Sequence, residues 1–201
     1  MIHTDARFAD AVEAAVTRLE SKTDAEMVVV ATPRSGSYRD LSLACGGALG
    51  LLLLLLAVFS PVHWDPHWLP AEVVLLLLAG SWVAERQPWL LRLVGSAARR
   101  ERQVADAAAA AFHQDQVHAT RGRTGLLIYL SALEQRVHVI PDHGLDARIP
   151  RADWNTISWD STTLEGFLAS LDAAGAVLAE HIPPIEGDNP DELPNAPRIR
   201  S

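Results

Sequence analysis

The stretch that decides the fold is CGGALGLLLLLLAVFSPVHWDPHWLPAEVVLLLLAGSW, Cys45–Trp82, in which two apolar blocks flank a short tryptophan-containing loop. Residues 41–84 contain only Asp65 and Glu72 as charges. The leucine run has no polar face at helical spacing, which a soluble surface helix needs. About 20 apolar residues are enough to cross a bilayer as a helix. The sequence therefore predicts a membrane span over Leu41–Ser60.

The second apolar block, Val73–Ala84, is shorter than the roughly 17 residues that a span requires. It reaches that length only if Trp68, Leu69 and Glu72 lie at the membrane interface, where indole rings are favoured. On the pattern alone, this block is either a second span or a re-entrant segment. The loop 61–70 has no Lys or Arg, whereas both flanks are rich in Arg. The positive-inside rule predicts that both flanks are cytoplasmic and the loop external.

The loop also contains His63, Asp65 and His67, which could supply nitrogen and oxygen ligands to a metal ion. Pro66 prevents a regular helical pair of ligands there. An interfacial turn is the favoured interpretation of HWDPHW.

Composition limits the function classes. The chain has 201 residues and a net charge of −8, which argues against a nucleic-acid partner. No Walker or dinucleotide glycine loop indicates a nucleotide. Cys45 is the only cysteine, so no intramolecular disulfide can form. The first 22 residues lack the apolar region of a secretory signal, which predicts that the N-terminus is cytoplasmic.

The flanks show the pattern of one α/β domain. Apolar periodicity and β-branched runs predict the following elements: a helix over 8–20, a strand over 26–31, an Ala-rich helix over about 96–120, strands 126–131 and 136–140 as a hairpin, a short helix after Pro150 and a helix over 163–182. A lone hairpin is marginal in water, so strand 26–31 is its expected partner. That pairing requires both flanks to lie on one side of the membrane. We therefore expect a discontinuous domain, 1–38 with 97–185, interrupted by a two-span hairpin over 41–95. An acidic, Pro-rich tail, 186–201, is expected to be extended or disordered.

The element order and four segments resemble the TPM-domain family, in its bacterial membrane-anchored branch. The segments are TDAEMVVVAT (23–32), AFHQDQVHATRGRTGLLIYLSALEQRVHVIPDHGL (111–145), ADWNTI (152–157) and NPDELPN (189–195). The resemblance covers about 1–38 and 97–195. It implies a three-layer α/β/α domain with a small central mixed sheet. It also implies binding of Ca²⁺ or another divalent cation, and an acid phosphatase-like activity of the kind credited to a thylakoid-lumen member.

Candidate site residues follow the third strand. Asp142, Gly144 and Asp146 could form a tight loop around a hard cation, with Glu26 or Asp24 as a further ligand source. A strand-ending turn explains the same residues, because Asp and Gly are favoured in turns. In the loop TRGRTG (120–125), Arg121 or Arg123 could hold a phosphate. Those arginines also suit the C-terminal end of a helix, whose dipole disfavours anions.

No nucleophile motif is recognisable, and four histidines (His113, His118, His138 and His143) lack zinc spacing. The sequence favours a protein of the bacterial inner membrane with a cytoplasmic domain. Its expected role is to assist, scaffold or regulate a membrane complex without catalysis. The alternative is a metal-assisted, acid phosphatase-like hydrolase with Asp142, Asp146 and Glu26 around the metal.

Overall fold

The computed structural model describes residues 2, 4–61, 63–185 and 192–200. The chain divides into two compact units, one formed by 1–35 with 101–201 and the other by 36–100. The first is an α/β unit and the second a helical unit. The described elements, in chain order, are α1 (Ala6–Glu20), β1 (Glu26–Thr32), α2 (Arg39–Phe59), α3 (Leu69–Arg86), α4 (Pro88–Val94), α5 (Ala97–Gln114), a 3₁₀ turn (Val117–Ala119), β2 (Gly125–Ser131), β3 (Arg136–Pro141), α6 (His143–Asp146), α7 (Arg151–Trp154), α8 (Leu164–His181) and β4 (Arg198–Ile199).

The strands of the α/β unit form one mixed sheet in the order β3-β2-β1-β4. β1 pairs in parallel with β2, with Glu26 opposite Gly125 and Thr32 opposite Ser131. β2 pairs with β3 as the predicted antiparallel hairpin. β1 and β2 are buried along their whole length, whereas β3 is an edge strand and half-buried. The α/β class and the mixed sheet are thus confirmed.

Helices cover both faces of the sheet. Alternate residues of β1 and β2, such as Val29 and Ile128, pack with α1, α8 and the α6 region. The opposite set, such as Val28 and Leu127, packs against α5. This follows from the two-residue period of a strand, which sends successive side chains to opposite faces. The hydrophobic core therefore consists of two layers of side chains, one on each face of the β-sheet.

Side-chain hydrogen bonds cap the N-terminal ends of helices α1 and α8. Asp5 caps α1 by accepting a hydrogen bond from the Phe8 amide at 3.0 Å. Thr163 caps α8 in the same way through the Gly166 amide at 3.1 Å. The Phe8 and Phe167 rings then stack with centroids 5.9 Å apart. These contacts hold α1 beside α8 on the same face of the sheet.

The C-terminal tail adds a strand that the sequence did not predict. Residues 186–191 and 201 of the expected disordered tail lie outside the described residues. Farther on, β4 pairs in parallel with β1, with Val30 opposite Arg198. Asp115 accepts contacts from both tail arginines, at 3.0 Å from Arg198 and 2.7 Å from Arg200. An ion-pair cluster therefore anchors this part of the tail.

In the helical unit, α2 and α3 form an antiparallel pair, and α4 follows α3 directly. Among the described residues, α2 alone is long and apolar enough to cross a membrane. Only 17% of its apolar window is buried, unlike the core helix of a soluble protein. α3 has the length of a short span but carries Glu72, Glu85 and Arg86. The structure thus supports one candidate span, and a multi-pass location goes beyond this observation.

Candidate functional site

The predicted site residues cluster at one end of the sheet. Because β1 runs parallel and β3 antiparallel to β2, the starts of β1 and β2 lie beside the end of β3. Two main-chain hydrogen bonds join the loop 120–125 to the residues after β3. The Asp142 amide donates to the Gly125 carbonyl at 2.8 Å, and the Gly144 amide donates to the Arg123 carbonyl at 2.9 Å. The candidate cation loop and the candidate phosphate loop are therefore one site, which we call the sheet-end cluster.

Gly144 is required for this close approach. A Cβ atom at Gly144 would lie 2.4 Å from the Gly122 carbonyl oxygen and 2.6 Å from that of Arg123. Both obstacles are backbone atoms, which cannot rotate away as a side chain can. The glycine of PDHG therefore serves as a contact surface for the TRGRTG loop as well as a turn residue.

Asp142 is the most buried carboxylate of the cluster, at 6% exposure. Its Oδ1 accepts a hydrogen bond from the His143 amide at 2.8 Å and so caps the short helix α6. Its Oδ2 is buried and has no hydrogen-bond partner among the described residues. The Arg123 guanidinium is 3.7 Å from this oxygen, which is ion-pair distance without a hydrogen bond. Asp142 Oδ2 thus retains acceptor capacity for a donor or a cation.

Asp24 lies on the other side of the loop, near Gly122. Burial raises the pKa of the Asp24 carboxyl; Arg148 opposes that shift, whereas the negative charge of Glu192 adds to it. Glu192 itself accepts a hydrogen bond from the Arg121 amide at 2.8 Å and pairs with the Arg121 side chain at 3.4 Å. Glu192, from the segment NPDELPN, therefore belongs to the cluster, which linear spacing alone did not reveal.

The residues predicted to bind a metal ion have different surroundings in the structure. Glu26 is buried and accepts a hydrogen bond from the Leu193 amide at 3.2 Å, whereas Asp146 is exposed on α6. Within the described ranges, no group of three or more His, Cys, Asp or Glu side chains is placed to hold a metal ion. A cation site formed by Asp142, Asp146 and Glu26 stays a prediction.

Each arginine of the loop faces a carboxylate, Arg121 facing Glu192 and Arg123 facing Asp142. α5 ends at Gln114, so the loop follows a separate 3₁₀ turn and does not end the helix directly. A phosphate at this loop would have to compete with two negative side chains. The arrangement therefore favours a cation or a hydrogen-bond donor over an anion.

The remaining candidates are dispersed. The rings of His113 and His118 pack together with centroids 5.4 Å apart. His138 lies on β3, where burial lowers its pKa and the charge of Glu101 opposes the shift. In the loop between α2 and α3, His67 Nδ1 contacts Asp65 Oδ1 at 3.0 Å and both side chains are exposed. The last contact fits the turn expected at HWDPHW, and its place at a membrane interface stays a prediction.

The helical unit has a second feature of functional interest: its large apolar side chains point outward. Ser42, Gly46 and Gly50 of α2 are buried, as are Gly80, Ser81 and Ala84 of α3. Large side chains are exposed instead, with Leu51 at 57%, Val58 at 66%, Phe59 at 81% and Leu75 at 68%. Small residues at four-residue spacing let membrane helices approach closely, and lipid tails accept the apolar exterior. In water, an apolar surface of this extent marks an interaction site or an aggregation hazard.

Comparison with known proteins supports the fold alone. No protein-family model matches the chain, and no curated protein matches it. Among solved structures, the chain is similar to the NMR structure of the BA42 protein from the psychrophilic bacterium Bizionia argentinensis, at a TM-score of 0.57 and 17% sequence identity. The similarity covers 98% of this chain and 94% of that one. At this level of identity, it shows a shared α/β architecture.

Proposed function

We propose that this protein is an α/β domain protein anchored in the bacterial inner membrane, and that it assists, scaffolds or regulates a membrane complex without catalysis. The observation that carries the proposal is the outward-facing apolar surface of the α2–α3 pair together with its buried seam of small residues. A lipid bilayer is the solvent in which such an arrangement is stable. The bilayer is thus the first partner that we assign.

The sheet supports an even number of membrane crossings. β1 precedes the helical unit and β2 follows it, yet the two strands pair over seven residues. If α2 crosses the bilayer, the chain must return before β2 begins. α3 provides the return in this proposal, with Glu72 at one interface and Glu85 with Arg86 at the other. The arginines flanking α2 and α3 favour a cytoplasmic position for the α/β unit.

We extend the proposal to family membership, because the segments 23–32 and 111–145 resemble the TPM-domain family. Both segments contribute to the sheet-end cluster through Asp24, Arg123 and Asp142. The non-catalytic role rests on the lack of a recognisable nucleophile or general base pair at this cluster. Within the described residues, Arg121 pairs with Glu192, and Arg123 lies at ion-pair distance from Asp142.

Membrane insertion is tested with Leu51→Arg, which places a charge near the middle of α2 on its exposed face. An arginine at a helix centre opposes insertion by about 2.5–3.5 kcal/mol, which lowers the equilibrium constant for insertion more than tenfold. Ala173→Arg, on the exposed side of α8, is the matched control. We expect the wild type and the control to resist carbonate extraction, and Leu51→Arg to be lost from the membrane. Extraction of the wild-type chain itself would refute the anchoring. A reporter fused after Ser201 should report a cytoplasmic location.

A metal-assisted phosphatase-like activity is the second candidate, favoured by the buried Oδ2 of Asp142. The full chain is assayed in detergent for hydrolysis of p-nitrophenyl phosphate with Mg²⁺ or Ca²⁺. If hydrolysis depends on the cation and falls at least tenfold in Asp142→Asn but not in Asp10→Asn, the enzymatic proposal replaces the scaffold. Equal background rates in all three proteins support the non-catalytic role.

A further inference from the structure

One side of the α2–α3 pair carries an apolar groove with a volume of about 560 Å³. α2 contributes Cys45, Ala48, Leu49 and Leu52, and α3 contributes residues from Leu76 to Ala84. Leu90 of α4 lines one end. The groove lies wholly within the helical unit. Its lining side chains are apolar, except for the thiol of Cys45.

The groove exists because short side chains lie between longer ones. Ala48, Ala79 and Gly80 leave space that the neighbouring leucines border. Along α3 the lining runs from Ala84 to Leu76, which is about 12 Å at 1.5 Å per residue. Half of a bilayer's hydrocarbon core is about 15 Å thick. The groove therefore spans most of the hydrocarbon thickness of one leaflet, which is the depth that one acyl chain occupies.

One basic side chain flanks the groove near its end at Ala84. Arg86 follows the lining residue Val83 by three positions, so it lies next to the lining face of α3. The Arg86 guanidinium lies 3.8 Å from the centroid of the Trp82 ring, and both residues are exposed. Arginine stacked on an aromatic ring keeps the edge of its guanidinium available for a phosphate. The groove thus combines an apolar lining with one cationic side chain beside its end.

α4 suits a position at the headgroup level. This short helix exposes Trp89 at 60% and Leu93 at 75%, while Leu91 is buried. Trp89 and Leu93 lie four residues apart and so share a face. Tryptophan and leucine beside arginine are typical of helices that lie in the membrane interface. Leu90, which lines the groove, is thereby placed at the boundary between headgroups and acyl chains.

We infer that this groove binds an anionic phospholipid of the cytoplasmic leaflet. An acyl chain occupies the space over Ala48 and Gly80, and the headgroup phosphate lies against Arg86. The inference rests on the proposed membrane anchoring and names the lipid class that the anchor selects. Anionic lipids are characteristic of the leaflet that faces a basic juxtamembrane segment.

The experiment is native mass spectrometry of the full chain, released from micelles that contain equal amounts of phosphatidylglycerol and phosphatidylcholine. We expect the wild type to retain phosphatidylglycerol in preference to phosphatidylcholine. Arg86→Gln should reduce this preference about fivefold, which corresponds to the attraction of one basic side chain near an anionic surface. Ala48→Phe fills the groove and should reduce retention of both lipids. Leu51→Phe, on the exposed face of α2 outside the groove, should behave as the wild type.

Three outcomes overturn the inference. Equal retention of both lipids by the wild type refutes the role of Arg86. If Ala48→Phe retains as much lipid as the wild type, the groove is not the binding site. If Leu51→Phe loses lipid as well, the loss reflects a larger side chain anywhere on α2 and is not specific to the groove. Carbonate extraction separates these results from failure of the anchoring. If the chain resists extraction but shows no lipid preference, only the inference fails. Because Arg86 is exposed, Arg86→Gln leaves the fold intact and decides the matter even if Ala48→Phe is unstable.

Discussion

The seam between α2 and α3 predicts that two adjacent glycines differ sharply in their tolerance of alanine. A Cβ atom at Gly46 would lie 2.1 Å from the Leu77 carbonyl oxygen, 2.2 Å from Ser81 Oγ and 2.8 Å from the Ser81 amide nitrogen. Two of these three atoms belong to the backbone of α3. A Cβ atom at Gly47 would meet nothing within 4 Å. Gly46→Ala must therefore move one helix away from the other, whereas Gly47→Ala needs no movement.

The size of the effect follows from these distances. Ordinary contact with a Cβ atom begins at 3.4 Å, so the oxygen at 2.1 Å requires a shift of about 1.3 Å. Overpacking of a well-packed interface lowers the free energy of unfolding by about 1–3 kcal/mol. Alanine is also a better helix former than glycine, by about 1 kcal/mol. Because both variants gain this helix-propensity term, it cancels in the comparison between them. Gly46→Ala should thus be about 1–3 kcal/mol less stable than Gly47→Ala.

Cys45 provides the assay, since it is the only cysteine in the chain and lies next to Gly46. Thermal unfolding of the full chain in detergent is followed with a maleimide dye that fluoresces on reaction with the thiol. The midpoint for Gly46→Ala should fall by about 2–4 °C for each kcal/mol. The midpoint for Gly47→Ala should equal or exceed that of the wild type. Identical midpoints for the two variants would refute the close approach of α2 and α3.

Three further predictions concern the α/β unit. Phe167→Ala removes a fully buried ring and should lower the free energy of unfolding by about 3–5 kcal/mol, measured by urea titration and compared with the exposed control Ala173→Ser. Burial lowers the pKa of His138, so below about pH 6.5 the unfolded chain binds more protons than the folded chain, and stability falls as the pH drops. His138→Gln should weaken this dependence of the unfolding free energy on pH. An unchanged dependence contradicts its assignment to His138. Asp115→Asn weakens the anchor of the tail, so amide exchange at Arg200, which donates to the Ala31 carbonyl, should accelerate while exchange in α8 stays constant.

Much of the α/β unit could be predicted because its signals are local. The β-branched run at 26–31 and the hairpin strands reflect side-chain preferences for a pleated, buried surface. The six-leucine run and its lack of charge predicted α2 almost to its ends. The two charges at the end of α3, Glu85 and Arg86, were also visible in the sequence. They explain why this helix is a weaker candidate for a span.

The sheet-end cluster was predicted only in part. Asp142 and Arg123 were each recognised as candidates, but for different ligands and at separate sites. Their ion pair depends on the register between β2 and β3 and on the small size of Gly144. β4 was missed because a two-residue strand carries too little pattern to stand out from an extended tail. Its place beside β1 depends on Asp115, more than 80 positions away from its arginine partners.

The sequence by itself determined the class of the longer segments, because hydrophobic period and run length act within about 20 consecutive residues. It thereby distinguished the α/β unit from the apolar insertion and required the inserted chain to return to the sheet. Only the tertiary structure decided which small residues form the α2–α3 seam, where the groove beside it opens and which carboxylate meets which arginine. Those properties depend on distances between residues far apart in the chain, and such distances are set when the helices pack and the strands choose their register.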